Sequence, residues 1–158
     1  MAKKQSSVER VRKVLGELGV DTQFKELPHS TRTAVEAAAA VNSSVSQIVK
    51  SLVFQTSEKE PVLILTSGSN QVDESLVSRR IGERIKFADA DFVRQRTGFA
   101  IGGVSPFGLT EPIPIYLDRD LLDHPLIWAA AGSSHAVFSI KPTDLLDTTG
   151  AEVIDVQS

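Results

Sequence analysis

The sequence predicts an α+β domain with a mixed, mostly antiparallel sheet flanked by helices. Helical and strand patterns follow one another without the regular βαβ alternation of a doubly wound sheet. Hairpin signals dominate instead, as in the polar linker of residues 56–60 between two apolar runs. The chain has 158 residues, 41% of them hydrophobic, so we expect one core and a single domain over residues 1–158.

Capping patterns mark the predicted helices. Three Ser or Thr residues are followed three positions later by Glu or Gln: Ser6/Glu9, Thr33/Glu36 and Ser44/Gln47. The first pair begins an amphipathic helix that ends at Gly19, the second begins an Ala-rich helix over residues 34–41, and the third marks a single turn. Later helices are predicted from Asp73 to Ile81, from Asp89 to the residue before Gly98, and from Pro142 to Leu146.

Apolar runs bounded by turn residues predict the strands. These runs are residues 21–27, 48–55, 61–67, 113–117, 126–131, 136–140 and 152–156. The run over residues 61–67 is apolar on both faces, which is typical of a strand that is covered twice. Residues 99–112 are rich in Gly and Pro and are predicted to form a loop.

Composition excludes several classes of function. The chain has no cysteine, which excludes disulfides, thiolate metal sites and a cysteine nucleophile. Its histidines, His29, His124 and His135, lack metal-ligand spacing, and nucleotide-binding motifs are absent, so we expect no metal and no cofactor. No apolar run reaches the ~20 residues that span a bilayer, and the basic start, Met1–Gln5, lacks the apolar stretch of a signal peptide. We therefore expect a cytoplasmic protein with no membrane partner.

Charge is unevenly distributed along the chain. The net charge is −3, yet residues 1–96 hold 15 of the 17 Lys and Arg and 12 of the 20 Asp and Glu, a net +3. A basic stretch over residues 79–96 contains Arg79, Arg80, Arg84, Lys86, Arg94 and Arg96. This basic stretch is either a solvated helical surface or a local surface for phosphate contacts on an otherwise acidic protein.

Lys50 is the most informative residue of the sequence. Because residues two apart share one face of a strand, Lys50 lies on the same face as Leu52 and Phe54. A cation on an apolar face costs free energy unless it reaches water or a partner. Lys50 is therefore either a lysine that extends to solvent at a strand end or a fixed positive charge in a pocket for a carboxylate or phosphate.

The glycine loop, Gly102–Gly108, is the second candidate feature. Gly102 and Gly103 allow close approach of the backbone to a ligand, and Pro106 stiffens the exit, although such clusters are also ordinary turns. The residues around Ser105 nearly match a nucleophile elbow, but Pro106 lacks the backbone N–H that an oxyanion hole requires there. A serine esterase that uses Ser105 is therefore disfavoured.

Two further segments hold polar residues near the predicted strands. The segment between two of these strands consists of Gly132, Ser133, Ser134 and His135. His135 either orients an amine or carbonyl group or lies exposed on a hairpin turn. His29 precedes the second helix, where it either lines a pocket wall or is solvated.

These motifs together resemble the YbaK/EbsC family, the free-standing relatives of the editing domain inserted in bacterial prolyl-tRNA synthetase. The matching segments extend over nearly the whole chain and include Pro28-His29, Ile48–Val53, Val72-Asp73, Gly102–Gly108 and Ala131–Ser134. The lysine strand, followed at long range by the glycine loop, is the specific part of the match. The resemblance implies a mixed sheet curled toward a barrel, and hydrolysis of the ester that joins a wrong amino acid to the 3′ end of a tRNA.

The resemblance also implies roles for individual residues. In that family the lysine matching Lys50 is needed for deacylation, and the loop from Gly102 to Pro106 holds the aminoacyl group through its backbone. Residues near the position of His135 influence which amino acid is accepted, although the spacing there departs from that of the synthetase insertion. We therefore assign catalysis to Lys50, Gly102, Gly103, Ser105 and Pro106, and substrate binding to His29, Gly132, Ser133 and His135.

The resulting hypothesis is a trans-editing aminoacyl-tRNA deacylase for a small amino acid, with tRNA-Pro the expected class of tRNA. An aminoacyl ester is already activated, so orientation, charge stabilisation and a water positioned by the neighbouring ribose hydroxyl suffice for hydrolysis. The expected partner is the tRNA 3′ acceptor end, and an aminoacyl-tRNA synthetase is a further candidate. The alternative hypothesis, motivated by the lack of an evident general base, is a non-catalytic module that binds aminoacyl-tRNA or nucleotide ends.

Overall fold

Strands and helices occupy most of the chain that the computed structural model describes, residues 6–31 and 33–158. The strands are β1 (Phe24–Glu26), β2 (Val49–Thr56), β3 (Pro61–Ser67), β4 (Ile85–Phe87), β5 (Ile115–Asp118), β6 (Ile127–Ser133), β7 (Ala136–Ile140) and β8 (Glu152–Ile154). The helices are α1 (Ser7–Leu18), α2 (Ala34–Val41), α3 (Glu74–Ile81), α4 (Ala90–Thr97) and α5 (Pro142–Thr149), with 3₁₀ turns at Val45–Gln47 and Arg119–Asp123. The basic start, Met1–Gln5, lies outside the described residues.

The strands form two sheets. The first has the order β4-β2-β3-β5-β8, in which β5 pairs parallel with β3 and with β8 while β2 pairs antiparallel with its neighbours. The second has the order β1-β7-β6 and is antiparallel. The prediction of a mixed, mostly antiparallel α+β fold is thereby confirmed.

The expected curl toward a barrel is not confirmed. Neither sheet closes within residues 6–31 and 33–158, and the two sheets are linked by one isolated bridge, between Ile48 and Trp128. Strand β4 pairs with the outer edge of β2 at Phe54–Thr56, so this part of the edge cannot pair with the second sheet. Only the start of β2 can therefore contact β6. This contact is too short to join the two sheets into one.

The predicted helix ends are confirmed where a cap fixes them. The Ser6 hydroxyl accepts the N–H of Glu9 at 3.1 Å and the Glu9 carboxylate accepts the N–H of Ser6, so α1 begins with a complete capping box. Asp73 and Asp89 cap α3 and α4 through one hydrogen bond each. The first helix ends at Gly19, whose φ of 67° is left-handed and suits a residue without a Cβ.

Two elements were not predicted from the sequence, and helix α5 is longer than predicted. Strand β4 was not predicted, because three residues are too few to show a period of two. The 3₁₀ turn Arg119–Asp123 was not predicted either, and it begins where the Asp118 carboxylate accepts the N–H of Asp120. Helix α5 continues past Leu146 to Thr149, where Gly150 ends it with a left-handed φ.

The first sheet separates two apolar layers, and β2 contributes to both. On one side Leu65 packs in a large core with the second sheet, including Phe138. On the other side Phe54 and Ile64 pack beneath α3. A third cluster places α2 against Trp128. The start of β2 therefore passes between α2 and β6, and the functional site is built there.

Candidate functional site

A cavity of about 500 Å³ lies along the start of β2, between α2, β6 and the glycine loop. Its walls are mainly apolar and include Val53, Val104 and Trp128. Lys50 and Gly102, which belong to the two segments that the sequence singled out, line this same cavity. Its volume lies within the ~300–1,000 Å³ that is typical of small-molecule sites.

The cavity follows an open edge of β2. Strand β4 pairs with β2 only at Phe54–Thr56, so no described strand lies beside the middle of β2 on that edge. The carbonyl of Val53 accepts the N–H of Ala88 at 3.1 Å, which shows that Val53 turns its backbone groups toward this edge. Residues two apart in a strand turn the same way, so Ser51 also presents its N–H and C=O to the edge.

The Lys50 side chain lies on the opposite face of β2 from that of Ser51, as strand alternation predicts. Its ammonium group donates a hydrogen bond to the backbone carbonyl of Asn70. Burial lowers the pKa of Lys50, and the negative charge of Asp118 opposes this by raising the pKa. Because an ammonium group has three donors, two remain for water or a ligand.

A buried polar network holds the carbonyl group that binds Lys50. The side-chain amide of Asn70 donates to Oδ2 of Asp118 and to Oδ2 of Asp120, both at 2.8 Å. Asp118 also accepts the N–H of Ser67 at 3.0 Å. This network was not predicted from the sequence, because Ser67 and Asn70 lie at and after the end of β3, whereas Asp118 and Asp120 lie at and after the end of β5. The two segments meet only through the parallel pairing of β3 with β5. The signal in the sequence that could have indicated this network is an apolar strand followed directly by Asp118 and Asp120.

Two buried hydroxyl groups lie beside Lys50 without a hydrogen-bond partner, and they are the only such side-chain atoms among the described residues: Ser51 Oγ and Thr66 Oγ1. Ser51 follows Lys50 and lines the cavity. Thr66 is the cross-strand neighbour of Lys50 on β3 and does not line the cavity. Buried polar groups are ordinarily paired, so this pair of hydroxyls distinguishes the surroundings of Lys50 from the rest of the core.

The glycine loop reaches the cavity through its first residues. Gly102, with a φ of 90°, and Val104 both line the cavity. At Gly103 a Cβ atom would lie 2.7 Å from the Cα of Ser133, so a side chain there would collide with the backbone of β6. Glycine at this position therefore allows the loop to pack against the second sheet and border the cavity.

Ser105 and Pro106 do not share this cavity. Ser105 is fully buried, and its hydroxyl accepts the N–H of Phe107 at 3.0 Å, which closes the turn from within. Pro106 is buried beside a separate surface depression. These two residues therefore do not lie with Lys50 at one reactive centre. The loop turns into the protein after Val104. The enclosure of its hydroxyl disfavours a nucleophilic role for Ser105.

The residues assigned to substrate binding also lie apart from Lys50. Ser133 and His135 line another depression beside α1, and Gly132 packs against the start of α1. His29 is exposed and lines neither cavity. The separation arises because the pairing of β6 with β7 shifts register between Ala130 and Ser133, which turns the hairpin end toward α1.

The basic stretch is only partly available for phosphate contacts. Arg96 binds the carboxylates of Glu60 and Glu111 at 3.1 and 2.9 Å, so acidic neighbours already hold it. Arg80 lies 4.0 Å from a carboxylate oxygen of Asp155. The remaining members are exposed and form no ion pair with a described residue: Arg79, Arg84, Lys86 and Arg94.

The cavity contains little acid–base chemistry of its own. Within the part of the chain that the structure describes, Lys50 is the only titratable side chain that lines it. In the same part, no group of three His, Cys, Asp or Glu residues is placed to bind a metal. None of the helices described here is long and apolar enough to cross a bilayer. The arrangement can bind and polarise a ligand, but general-base catalysis has to come from elsewhere.

A family model for the aminoacyl-tRNA editing domain matches residues 29–148, which include β2 and the whole glycine loop. The chain belongs to the aminoacyl-tRNA editing domain family. The resemblance that was predicted from the lysine strand and the glycine loop is thereby confirmed.

Three relatives match the chain over very different shares of their own length. The solved structure of a proposed trans-editing enzyme for prolyl tRNA synthetase has a TM-score of 0.90 and 45% identity, and 99% of each chain is covered. The uncharacterised protein YwhH of Bacillus subtilis is 29% identical over 95% of this chain and 96% of its own length. The proline–tRNA ligase of Brachyspira hyodysenteriae is 32% identical over 51% of this chain, which corresponds to 14% of the ligase.

Proposed function

We propose that the protein is a trans-editing aminoacyl-tRNA deacylase, which hydrolyses the ester of a small amino acid mischarged on tRNA. The observation that carries the proposal is that Lys50 and Gly102 line one cavity in a chain of the editing-domain family. The likeness to a proposed trans-editing enzyme for prolyl tRNA synthetase, and to part of proline–tRNA ligases, supports tRNA-Pro as the class of tRNA.

In the proposed reaction, water adds to the ester carbonyl carbon and the bond to the ribose oxygen breaks. The ribose oxygen takes a proton, so the products are the free amino acid and a tRNA with an intact terminal ribose. Because the only titratable side chain lining the described cavity is Lys50, the water is positioned by the neighbouring ribose hydroxyl rather than by a protein base. The protein supplies orientation and charge stabilisation.

Lys50 is proposed to bind the terminal phosphate, and the start of the glycine loop to hold the aminoacyl group. The bond from Lys50 to Asn70 fixes one donor and leaves two for the ligand. Asp118, held by Asn70 and Ser67, keeps a counter-charge near the ammonium group, which favours its protonated form. Gly102 brings its backbone to the cavity in a conformation with a φ of 90°, which suits a residue without a Cβ.

The cavity mouth suits the terminal base of the tRNA. Three of the few large apolar side chains exposed on the described surface, Val35, Phe87 and Ile101, are 65%, 54% and 62% exposed, and all three line this cavity. Exposed apolar groups concentrated at one opening mark an interaction site. The Phe87 ring packs against the Phe54 ring with a tilt of 35° and 4.3 Å between centroids, and a base is proposed to stack on its exposed side.

The apolar walls favour a small substrate side chain. Val53, Val104 and Ala129 line the cavity and offer no partner to a charged group. One methylene changes binding in such a pocket by only ~1–3 kcal/mol, which is why a separate editing step by size is useful. Alanine, serine and threonine are the proposed substrates.

The lack of a protein base also supports a second candidate, a non-catalytic module that binds aminoacyl or nucleotide ends. The two candidates differ in turnover. Tight binding of a non-hydrolysable aminoacyl-adenosine with no loss of the ester from any charged tRNA would favour the module.

The test is a panel of tRNAs mischarged with alanine, serine, threonine or larger amino acids, followed for ester loss against buffer. We expect faster loss only for small amino acids, and most clearly on tRNA-Pro. A panel in which no tRNA is deacylated faster than in buffer overturns the proposed function.

A further inference from the structure

Ser51 combines an unpaired side chain with a backbone that faces an edge of β2 that no described strand covers. Its hydroxyl is buried and unpaired, and its N–H and C=O turn toward the edge of β2 that β4 does not cover. Ser51 lines the cavity between Val49 and Val53, which share its face of the strand. A strand edge that is left open beside an apolar wall is suited to a ligand that brings its own hydrogen-bond donor and acceptor.

The chemistry of an aminoacyl ester matches this set. The amino acid is bound through its carboxyl group, so it retains an α-ammonium donor and an ester carbonyl acceptor. These two groups are spaced like the N–H and C=O of one residue in a strand. An extended segment with this spacing can pair with the open edge of a sheet as an added strand. The C=O of Ser51 is placed for the ammonium group, and the N–H of Ser51 for the ester carbonyl.

We propose, on the basis of the proposed function, that the aminoacyl group pairs with Ser51 as a single residue added to the edge of β2. The backbone C=O of Ser51 accepts a hydrogen bond from the α-ammonium group, and the hydroxyl, which is enclosed in the free protein, turns about χ1 to accept a second one. The backbone N–H of Ser51 donates to the ester carbonyl, where negative charge develops when water adds. Ser51 is thus a substrate-binding residue that the sequence analysis did not single out.

This pairing also determines where the amino acid side chain lies. Side chains of paired residues share one face of a sheet, so the substrate side chain lies on the face of Ser51, against Val53 and Val104. Lys50 points to the opposite face, away from the α-ammonium group that it would repel. The two cations are therefore separated by the strand itself.

The experiment compares tRNA carrying an alanyl ester with tRNA carrying a propionyl ester, in which hydrogen replaces the α-ammonium group. Each rate is divided by its rate in buffer, because the ammonium group also activates the free ester. We expect the wild-type protein to accelerate the alanyl ester roughly tenfold or more over the propionyl ester, as for loss of a charge-assisted hydrogen bond. In Ser51→Ala this preference falls several-fold, because one of two acceptors is removed.

Thr66→Val is the matched control, since it also removes a buried unpaired hydroxyl near Lys50 but not from the cavity. It should leave the preference for the alanyl ester unchanged. Ser51→Ala should also unfold at no lower temperature than the wild type, because it removes no hydrogen bond within the protein.

The outcomes separate this inference from the function on which it rests. If no mischarged tRNA is hydrolysed, the proposed function fails and this inference fails with it. If both esters are accelerated equally, or if Ser51→Ala and Thr66→Val alter the preference alike, the function stands and the pairing with Ser51 is wrong.

Discussion

Lys50 is the residue on which the proposed chemistry depends most. Removing its charge in Lys50→Ala should lower kcat/KM for a mischarged tRNA by about 10²–10³-fold, as when one stabilising group is lost from a transition state. Single-turnover ester hydrolysis measures this effect. Lys13→Ala is the matched control, because Lys13 is an exposed lysine on α1 away from the cavity. Full activity in Lys50→Ala would show that the ammonium group has no part in the reaction.

Burial of Lys50 also predicts a titration. Because desolvation is the larger influence, the pKa of Lys50 should lie below the ordinary lysine value of 10.5, as measured by NMR of the side-chain amine. Between this lowered pKa and 10.5 the unfolded chain binds more protons than the folded one, so the contribution of Lys50 to stability increases as pH rises. Asp118→Asn should lower the pKa further, since Asp118 raises it. A pKa at or above 10.5 in the folded protein would contradict the burial of this group.

Within the glycine loop, Ser105 has a structural role that can be separated from catalysis. Ser105→Ala leaves the buried N–H of Phe107 without its partner, which should cost about 1–3 kcal/mol in the free energy of unfolding. Urea denaturation measures this loss. Deacylation by the folded fraction should remain close to the wild-type rate. An abolished reaction with unchanged stability would instead support the serine esterase that the structure disfavours.

Gly103 tests how the loop is held against β6. Gly103→Ala places a methyl group 2.7 Å from the Cα of Ser133, so the loop has to shift and both stability and deacylation should fall. Gly16→Ala is the matched control, because no atom lies within 4 Å of the new methyl group. This control should stabilise α1 by about 0.5–1 kcal/mol and leave deacylation unchanged. Equal effects of the two substitutions would contradict the close packing of the loop.

Local signals in the sequence predicted the elements that have local causes. Ser6, Asp73 and Asp89 act on residues three positions away, so the helix starts were readable from spacing alone. Strand β4 and the shift between Ala130 and Ser133 depend on a neighbouring strand, and the sequence carries no local sign of either. The helices and strands themselves were therefore predicted better than the pairing of the strands in the sheets.

The same distinction applies to the site. Lys50 and Gly102 were found because a cation in an apolar strand and a double glycine are conspicuous in a sequence. Ser51 and Asp118 were missed because their roles arise from an open strand edge and a parallel pairing between distant segments. His135 was grouped with Lys50 through the resemblance, whereas the hairpin bulge turns it toward α1.

At the scale of the whole molecule, the mouth of the cavity and the basic stretch should bind the tRNA together. Phe87→Ala should raise KM for mischarged tRNA by about 5–150-fold, which corresponds to the ~1–3 kcal/mol of base stacking on an aromatic ring. Steady-state kinetics measures the change in KM, and thermal unfolding checks that the variant is folded. Leu18→Ala, an exposed apolar residue outside the cavity, is the matched control. An unchanged KM in Phe87→Ala would place the terminal base elsewhere.

The central claim is that one cavity, bordered by β2 and the glycine loop, receives the aminoacyl end of a tRNA. The decisive experiment is a crystal structure with a 5′-phosphorylated aminoacyl-adenosine whose ester is replaced by a non-hydrolysable amide. We expect the aminoacyl group to lie against Ser51 and Gly102, with a phosphate oxygen within hydrogen-bond distance of the Lys50 ammonium group. An analogue bound in the depression beside Ser133 and His135, with the cavity at Lys50 unchanged, would contradict it.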